Sequence, residues 1–182
     1  MRLFIAIQFD PHFKTALTAA QDSLHRGGYR GHFTDVRNLH LTLAFIGEYS
    51  DPDRVLDAME QVQFAPFPIR LSGYIGNFDD LLWAGMEQSA ELDKIVKQLR
   101  HALVAEQIPF DRKKFDPHIT FLRKAQIRRE NPFQFSDVKV RQAEMFVHSI
   151  SLMRSDFGKR GAVYTEVGSI TGHKENDSGV IP

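Results

Sequence analysis

The chain has 182 residues, of which 42% are hydrophobic and 25% charged, a composition that excludes a fibrous or wholly disordered protein and suits one compact domain. It has no cysteine, which excludes disulfides, thiolate catalysis and zinc-finger sites. The formal net charge is zero, but residues 111–160 carry 12 Lys and Arg against 6 Asp and Glu. This local excess of positive charge either attracts phosphate groups or forms an ordinary solvated surface.

The first part of the chain predicts a strand, a helix and a second strand. Residues 3–8 are almost entirely apolar, as in a central strand. This run is too short for a membrane span and lacks a signal cleavage site, so a soluble, cytoplasmic protein is expected. Asp10-Pro11 then predicts a helix start, and apolar residues at helical spacing continue to Gly27-Gly28. A loop through residues 30–32 should lead to the strand that contains His40 and ends at Gly47.

The rest of the chain predicts two more helices and further strands. A helix should start at Asp51-Pro52 and extend to Val62, and a second should cover residues 92–103, where the apolar stripe is cleanest. The predicted strands cover residues 67–74, 81–86, a segment containing His118, 133–140, 145–153 and 162–170. The turn 155–161 should join the last two as a hairpin. Residues 1–171 are expected to form the domain and 172–182 a flexible tail.

The order strand, helix, strand occurs twice with matching lengths. Phe4 and Thr42 are 38 positions apart, and Trp83 and Thr120 are 37 apart. An internal duplication explains this correspondence and would place the two halves symmetrically about a shared cleft.

Each half contains the pattern His-apolar-Thr-apolar, at His40-Leu41-Thr42-Leu43 and His118-Ile119-Thr120-Phe121. In a strand the His and the Thr lie on one face and the two apolar residues on the other. A single copy is explained by chance or by a structural histidine, but two copies with matching apolar neighbours are harder to explain in this way. Two imidazoles facing each other across a cleft can hold a phosphate between them and exchange protons near neutral pH.

Other candidate groups are weaker. The acidic residues nearest the two histidines, Asp35 and Asp116, do not have the spacing of a metal site, so no metal or other cofactor is expected. Among the remaining histidines, only His148 is placed near the predicted cleft. Four aromatic residues are candidates for stacking on a base, although burial in the core is the favoured explanation for each: Phe4, Trp83, Phe157 and Tyr164.

The chain resembles the two-histidine (HxTx) phosphoesterase superfamily and, within it, the RNA 2′,3′-cyclic phosphodiesterases, also called 2′-5′ RNA ligases. The resemblance rests on residues 2–7, 38–47, 117–123 and 161–164. It implies an α+β fold, a two-lobed single domain with antiparallel sheets facing a central cleft, helices packed outside and a pseudo-two-fold internal duplication.

The resemblance also implies roles for five residues in metal-independent opening of a 2′,3′-cyclic phosphate to a 2′-phosphate. His40 is then the proton donor and His118 the proton acceptor, although the nearly symmetric motifs alone leave their order open. Thr42, Thr120 and Arg123 would bind the phosphate. Arg123 has an odd offset from His118, so it reaches the cleft only if the strand ends or bulges around Leu122.

Two alternatives to this interpretation remain at the level of sequence. The protein could be a module that binds RNA ends with little turnover, or it could apply the same chemistry to another nucleotide such as 2′-5′ oligoadenylate. Reverse 2′-5′ RNA ligation is a further possibility. The expected partners are RNA ends or nucleotides with a 2′,3′-cyclic phosphate, with no membrane and no obligate protein partner, and a monomer is expected.

Overall fold

The structure is a computed structural model that describes residues 1–158 and 161–173. The described part of the chain forms three α-helices: α1 (Pro11–Arg26), α2 (Pro52–Glu60) and α3 (Ala90–Ala105). It also forms nine strands: β1 (Arg2–Gln8), β2 (Arg30–Phe33), β3 (His40–Glu48), β4 (Phe67–Phe78), β5 (Leu81–Met86), β6 (His118–Gln126), β7 (Glu144–Val147), β8 (Ser149–Gly158) and β9 (Gly161–Thr171). Residues 159–160 of the predicted hairpin turn and 174–182 of the predicted tail lie outside the described residues.

The strands form two antiparallel sheets, and this arrangement confirms the predicted α+β class. One sheet has four strands in the order β3-β1-β8-β9, and the other has five in the order β2-β6-β5-β4-β7. Strand β1 is internal to its sheet, which explains its nearly continuous apolar sequence. None of the helices in the described ranges is long and apolar enough to cross a membrane.

The three predicted helices are present, and each begins at a side-chain cap. Asp10 accepts a hydrogen bond from the backbone N–H of Phe13 at 2.7 Å, and Asp51 and Ser89 cap α2 and α3 in the same way. The apolar faces of the helices are buried in the core. Val62 is buried but lies beyond the end of α2, so that helix is shorter than predicted.

The predicted loop at residues 30–32 is wrong, because these residues lie in strand β2. This strand is short and mostly exposed, and it covers the edge of the five-stranded sheet by pairing with β6. An exposed edge strand lacks the alternation of buried and exposed side chains by which strands are recognised in a sequence.

Two predictions in the C-terminal part are also wrong. Residues 133–140 form an irregular segment with one 3₁₀ turn at Phe135–Asp137, although the alternating burial of Val138 and Val140 imitates a strand. Residues 145–153 form two strands instead of one. Strand β7 pairs with β4 and β8 pairs with β1, so the chain passes from one sheet to the other at His148. Only two polar residues, His148 and Ser149, separate the apolar residues of the two strands, and such a short interruption also fits the alternation of a single strand.

The predicted duplication is visible in the pairing of the motif strands. Thr42 lies opposite Ala6 in the β1–β3 pair, and Thr120 lies opposite Trp83 in the β5–β6 pair. The helix of each half contacts the motif strand of the other half. Gln21 of α1 donates a hydrogen bond to the carbonyl of Phe121 in β6 at 3.1 Å, whereas α3 packs against β3. One hydrophobic core therefore connects both sheets.

Candidate active site

The two motif strands face each other across one cleft of about 2600 Å³. Strands β3 and β6 contact each other, and all five residues predicted for the site line this cleft: His40, Thr42, His118, Thr120 and Arg123. The fold thus brings together two histidines that are far apart in the sequence.

An irregularity in β3 sets which side chains of the first motif face the cleft. His40 and Thr42 are partly exposed there, whereas both Leu43 and Ala44 are buried. The pairing with β1 shifts by one residue at this point. A bulge of this kind reverses the alternation, so Phe45 returns to the cleft side.

Strand β6 repeats this irregularity. Phe121 and Leu122 are both buried, and the register with β5 shifts between the residues opposite Thr120 and Leu122. The sequence required such a bulge for Arg123 to reach the cleft, and the strand contains it. Arg123 therefore occupies the position in β6 that Phe45 occupies in β3.

A second irregularity lies in the pairing of β6 with β2, and it fixes the backbone of Arg123 from the other edge of β6. His32 of β2 lies opposite Arg123, and the β2–β6 register shifts next to this pair, where Lys124 has a positive φ of 52°. Gly31 of β2 also has a positive φ, of 140°. A Cβ at Gly31 would lie 2.7 Å from the carbonyl oxygen of Arg123 and 2.5 Å from that of Lys124. Sequence reasoning missed this glycine because it placed Gly31 in a loop.

The two histidines are held in the same way by backbone carbonyls. Nδ1 of His40 lies 2.6 Å from the carbonyl oxygen of Asn38, and Nδ1 of His118 lies 2.7 Å from that of Asp116. A carbonyl only accepts hydrogen bonds, so each Nδ1 carries the hydrogen. Each Nε2 is then the nitrogen available for proton transfer. Nε2 of His40 lies 3.0 Å from Oγ1 of Thr42.

Aromatic rings flank both imidazoles. The centroid of the His40 ring lies 4.9 Å from that of Phe4 and 5.2 Å from that of Tyr164. The corresponding distances from His118 are 5.2 Å to Phe78 and 6.0 Å to Trp83. These contacts limit the rotation of both rings.

The pKa of His40 is lowered from the ordinary value of 6.5. Burial of the ring is the largest cause, because protein atoms replace the water that would solvate the charged form. The positive charge of Arg123, and that of His118 when its ring is protonated, lower it further, whereas the hydrogen bond to Asn38 opposes the shift. His40 is therefore largely neutral at pH 7 in the unliganded protein.

Asn38 also links the first motif to the β8–β9 hairpin. Its side-chain amide donates a hydrogen bond to the carbonyl of Ala162 at 2.7 Å, while its own carbonyl holds His40. The hairpin carries Tyr164, so it both positions and covers the His40 ring. The sequence analysis used Asn38 only as part of the resemblance and did not find this link.

The other candidate residues lie in varied surroundings. Asp35 pairs with Arg37, whose hydrogen bonds to the carboxylate lower the pKa of Asp35 to about 2. His148 packs near Phe146 and does not line the cleft, whereas His32 does. Within residues 1–158 and 161–173, no three His, Asp or Glu side chains come close enough to hold a metal ion.

The predicted burial of the four aromatic candidates holds only in part. Phe4 is buried, Trp83 and Tyr164 are half-buried, and Phe157 is 85% exposed at the rim of the cleft. The expectation of a core position is therefore wrong for Phe157. This residue lies near the tip of the β8–β9 hairpin, beyond the part of β8 that pairs with β1.

The arrangement suits acid–base chemistry on a small anion. Two Nε2 atoms in one cleft can serve as proton donor and proton acceptor, and two hydroxyls and one guanidinium can donate hydrogen bonds to anionic oxygens. A phosphoryl group fits this arrangement. Some of its oxygens gain or lose protons in the reaction, and the others carry negative charge.

Comparison with known proteins gives a consistent assignment. The sequence profile of the family described as the 2′-5′ RNA ligase superfamily matches residues 9–159. A protein of Archaeoglobus fulgidus named RNA 2′,3′-cyclic phosphodiesterase is 27% identical over 180 residues, covering 92% of this chain and 98% of that protein. A protein of Thermotoga maritima with the same name is 26% identical over 174 residues, with coverages of 90% and 91%.

Solved structures agree with this fold. A protein of Thermus thermophilus superposes with a TM-score of 0.75 and 28% identity, covering 96% of this chain and 100% of that one. The crystal structure of E. coli LigT complexed with 3′-AMP also has a TM-score of 0.75, with 24% identity and coverages of 95% and 98%. The likeness to LigT shows a shared fold.

Proposed function

Because the chain belongs to the 2′-5′ RNA ligase superfamily, we propose that it hydrolyses RNA 2′,3′-cyclic phosphates to 2′-phosphates without a metal ion. The observation that best supports this proposal is the pair of imidazoles in one cleft, each with Nδ1 held by a carbonyl and Nε2 left for proton transfer. The relatives named RNA 2′,3′-cyclic phosphodiesterase support the choice of substrate.

In this mechanism the cyclic phosphate lies between the two Nε2 atoms. His118 takes a proton from water as the water oxygen bonds to phosphorus, and His40 gives a proton to O3′ as the P–O3′ bond breaks. Thr42, Thr120 and Arg123 donate hydrogen bonds to the non-bridging oxygens, whose negative charge grows in the transition state. Each proton transfer contributes roughly 10²–10⁴-fold to the rate.

The lowered pKa of His40 is compatible with its role as donor. In the free protein burial and the charge of Arg123 disfavour the imidazolium, but a bound phosphate places negative charge beside the ring and raises the pKa again. The substrate itself thus favours the charged donor. Because kcat/KM reports the free enzyme, one limb of its pH profile should lie below the ordinary 6.5.

The decisive experiment measures the opening of a nucleoside 2′,3′-cyclic phosphate in the presence of a chelator. We expect the 2′-monophosphate as product and a bell-shaped pH dependence. His40→Ala and His118→Ala should each lower kcat by at least about 10²-fold with unchanged circular dichroism. His101→Ala, which removes an exposed histidine from α3, is the matched control and should retain the wild-type rate.

Each other outcome points to a different function. Loss of activity with chelator and its return with Zn²⁺ or Mn²⁺ would contradict the metal-independent mechanism. Tight retention of cyclic-phosphate RNA without product would instead identify a module that binds RNA ends. A strong preference for 2′-5′ oligoadenylate would keep the chemistry and change the substrate.

The same groups can act on a second nucleotide in place of water. A 5′-hydroxyl that attacks phosphorus would give a 2′-5′ linkage, in keeping with the name of the superfamily. Water is in large excess, so hydrolysis should dominate unless the second nucleotide has a binding site of its own.

A further inference from the structure

A row of aromatic rings leads outward from His118. The ring of Phe78, the last residue of β4, lies 5.2 Å from the imidazole of His118 at an angle of 87°. Trp83 lies 5.1 Å from Phe78, and Tyr74 lies 5.9 Å from Trp83. Phe78 lines the cleft and is 43% exposed, so one part of its ring is bare beside the histidine.

Two glycines on neighbouring strands make room for this row. A Cβ at Gly76 would lie 2.3 Å from the ring of Trp83, and a Cβ at Gly85 would lie 2.6 Å from the ring of Tyr74. Any larger residue at either position would displace the rings that support Phe78 from behind. The exposed ring is therefore part of a specifically packed group.

The hairpin that carries Phe78 is anchored at its tip. Phe78 pairs with Leu81, which also lines the cleft, and the turn between them includes Asp79 with a positive φ of 49°. The carbonyl of Asp80 accepts a hydrogen bond from the N–H of Ala125 in β6 at 2.8 Å. The bare ring is thus held in place relative to the strand that carries His118.

The rings beside His40 do not offer an equivalent surface. Phe4 is only 4% exposed, and Tyr164 packs against it edge to face at 71°. A base that stacks within the cleft therefore finds a more exposed ring next to His118 than next to His40.

We propose that Phe78 binds the base of a second nucleotide, the one whose 5′-hydroxyl replaces water at phosphorus. This inference rests on the proposed function, in which His118 faces the entering oxygen. In an in-line displacement the entering oxygen and the departing O3′ lie on opposite sides of phosphorus. The nucleoside attached to the entering O5′ thus extends from His118, toward Phe78. Stacking on an aromatic ring accepts any base.

The reaction at this subsite is balanced without a co-reactant. The bond from O5′ to phosphorus forms while the P–O3′ bond breaks. The proton of the 5′-hydroxyl passes to Nε2 of His118, and Nε2 of His40 gives a proton to O3′. The product is a 2′-5′ phosphodiester with a free 3′-hydroxyl.

The test measures joining and hydrolysis in one reaction that contains 2′,3′-cyclic-phosphate RNA and 5′-hydroxyl RNA. Base–aromatic stacking is worth about 1–3 kcal/mol, so Phe78→Leu should lower the ratio of joined to hydrolysed product roughly 5- to 150-fold. Phe78→Tyr retains the ring and should retain the ratio. Phe146→Leu removes a phenylalanine that is 51% exposed on edge strand β7 and should leave both rates at the wild-type level.

The outcomes separate this inference from the function on which it rests. If the wild-type protein does not open cyclic phosphates, the proposed function fails. If it hydrolyses them but joins no RNA, or if Phe78→Leu lowers joining and hydrolysis equally, the proposed function stands and the subsite is overturned. An equal loss would mean that Phe78 acts through His118 or binds the base of the cyclic nucleotide.

Discussion

Arg123 affects the proposed chemistry in two opposite ways at the scale of single residues. Its guanidinium can donate hydrogen bonds to phosphate, which favours catalysis. Its charge also lowers the pKa of His40, which disfavours the protonated donor in the free protein. Bound phosphate removes the second effect, since its negative charge offsets the positive charge of the guanidinium.

Replacing Arg123 by Gln separates these two effects. The pKa of His40 should rise because a neighbouring positive charge is lost, while kcat/KM should fall roughly 10- to 100-fold because a hydrogen bond to a charged group is lost. NMR titration of the His40 imidazole in the free protein measures the first effect. Arg128→Gln makes the same change in net charge at an exposed position and should leave the titration unchanged. An unaltered midpoint in Arg123→Gln would show that Arg123 is too far from His40 to act on it.

Asn38 is a positioning residue, because it acts on the reaction only through His40. Asn38→Ala keeps the backbone carbonyl that holds Nδ1 of His40 and removes the side-chain bond to Ala162. We expect kcat to fall about 5-fold, in line with one neutral hydrogen bond of about 1 kcal/mol, with little change in KM. Amide hydrogen exchange at the start of β9 should also become faster. Unchanged exchange in Asn38→Ala would mean that the hairpin does not depend on this bond.

At the scale of elements, the two bulged strands β3 and β6 determine what faces the cleft. Each strand presents His and Thr, buries the next two side chains, and then presents one more residue. In β3 this residue is Phe45, whose ring lies 5.1 Å from the guanidinium of Arg2. In β6 it is Arg123. The bulge that recurs in both strands therefore creates two equivalent positions, one with an aromatic ring and the other with a guanidinium.

Gly31 tests whether the geometry of β6 depends on its close approach to β2. Gly31→Ala combines an unfavourable φ of 140° with contacts to two carbonyl oxygens of β6, so we expect the free energy of unfolding to fall by roughly 1–3 kcal/mol. We also expect kcat/KM to fall, because the backbone of Arg123 must move. Chemical denaturation and steady-state kinetics measure the two effects.

Gly161→Ala is the matched control for this substitution. Gly161 has a positive φ of 116°, but a Cβ there would meet nothing within 4 Å. The loss of unfolding free energy in Gly161→Ala therefore measures the effect of the positive φ alone, without a steric clash. If both variants lose the same stability and Gly31→Ala keeps full activity, the contact with β6 has no role in placing Arg123.

The sequence predicted the elements whose burial is periodic. Helix α3 has its apolar stripe along its whole length, and β5 lies at the predicted residues 81–86. Edge strand β2 was missed because its side chains are exposed, and the β7–β8 boundary was missed because only His148 and Ser149 separate the apolar residues of the two strands. The need for a bulge near Leu122 could be predicted from the spacing of His118 and Arg123. The aromatic row beside His118 could not, because it depends on long-range pairing between strands.

At the scale of the whole molecule, the two halves are joined too closely to act alone. Helix α1 follows β1 in the chain but bonds to β6, and α3 follows β5 but packs against β3. The walls of the cleft are therefore supported by the same core, and separation of the two motif strands would require that core to open.

Because the site and the core are joined in this way, the titration of His40 affects the stability of the fold. Its pKa is lowered in the folded protein, so between the folded pKa and the unfolded value near 6.5 the unfolded chain binds more protons. The free energy of unfolding should therefore rise with pH through this window and level off above pH 6.5. His40→Asn removes the titrating group, so the stability of the wild-type protein relative to this variant should increase from pH 5 to pH 7. Urea denaturation at several pH values measures the difference. A constant difference across this range would mean that His40 titrates alike in the folded and unfolded states, and that burial beside Tyr164 does not disfavour its charge.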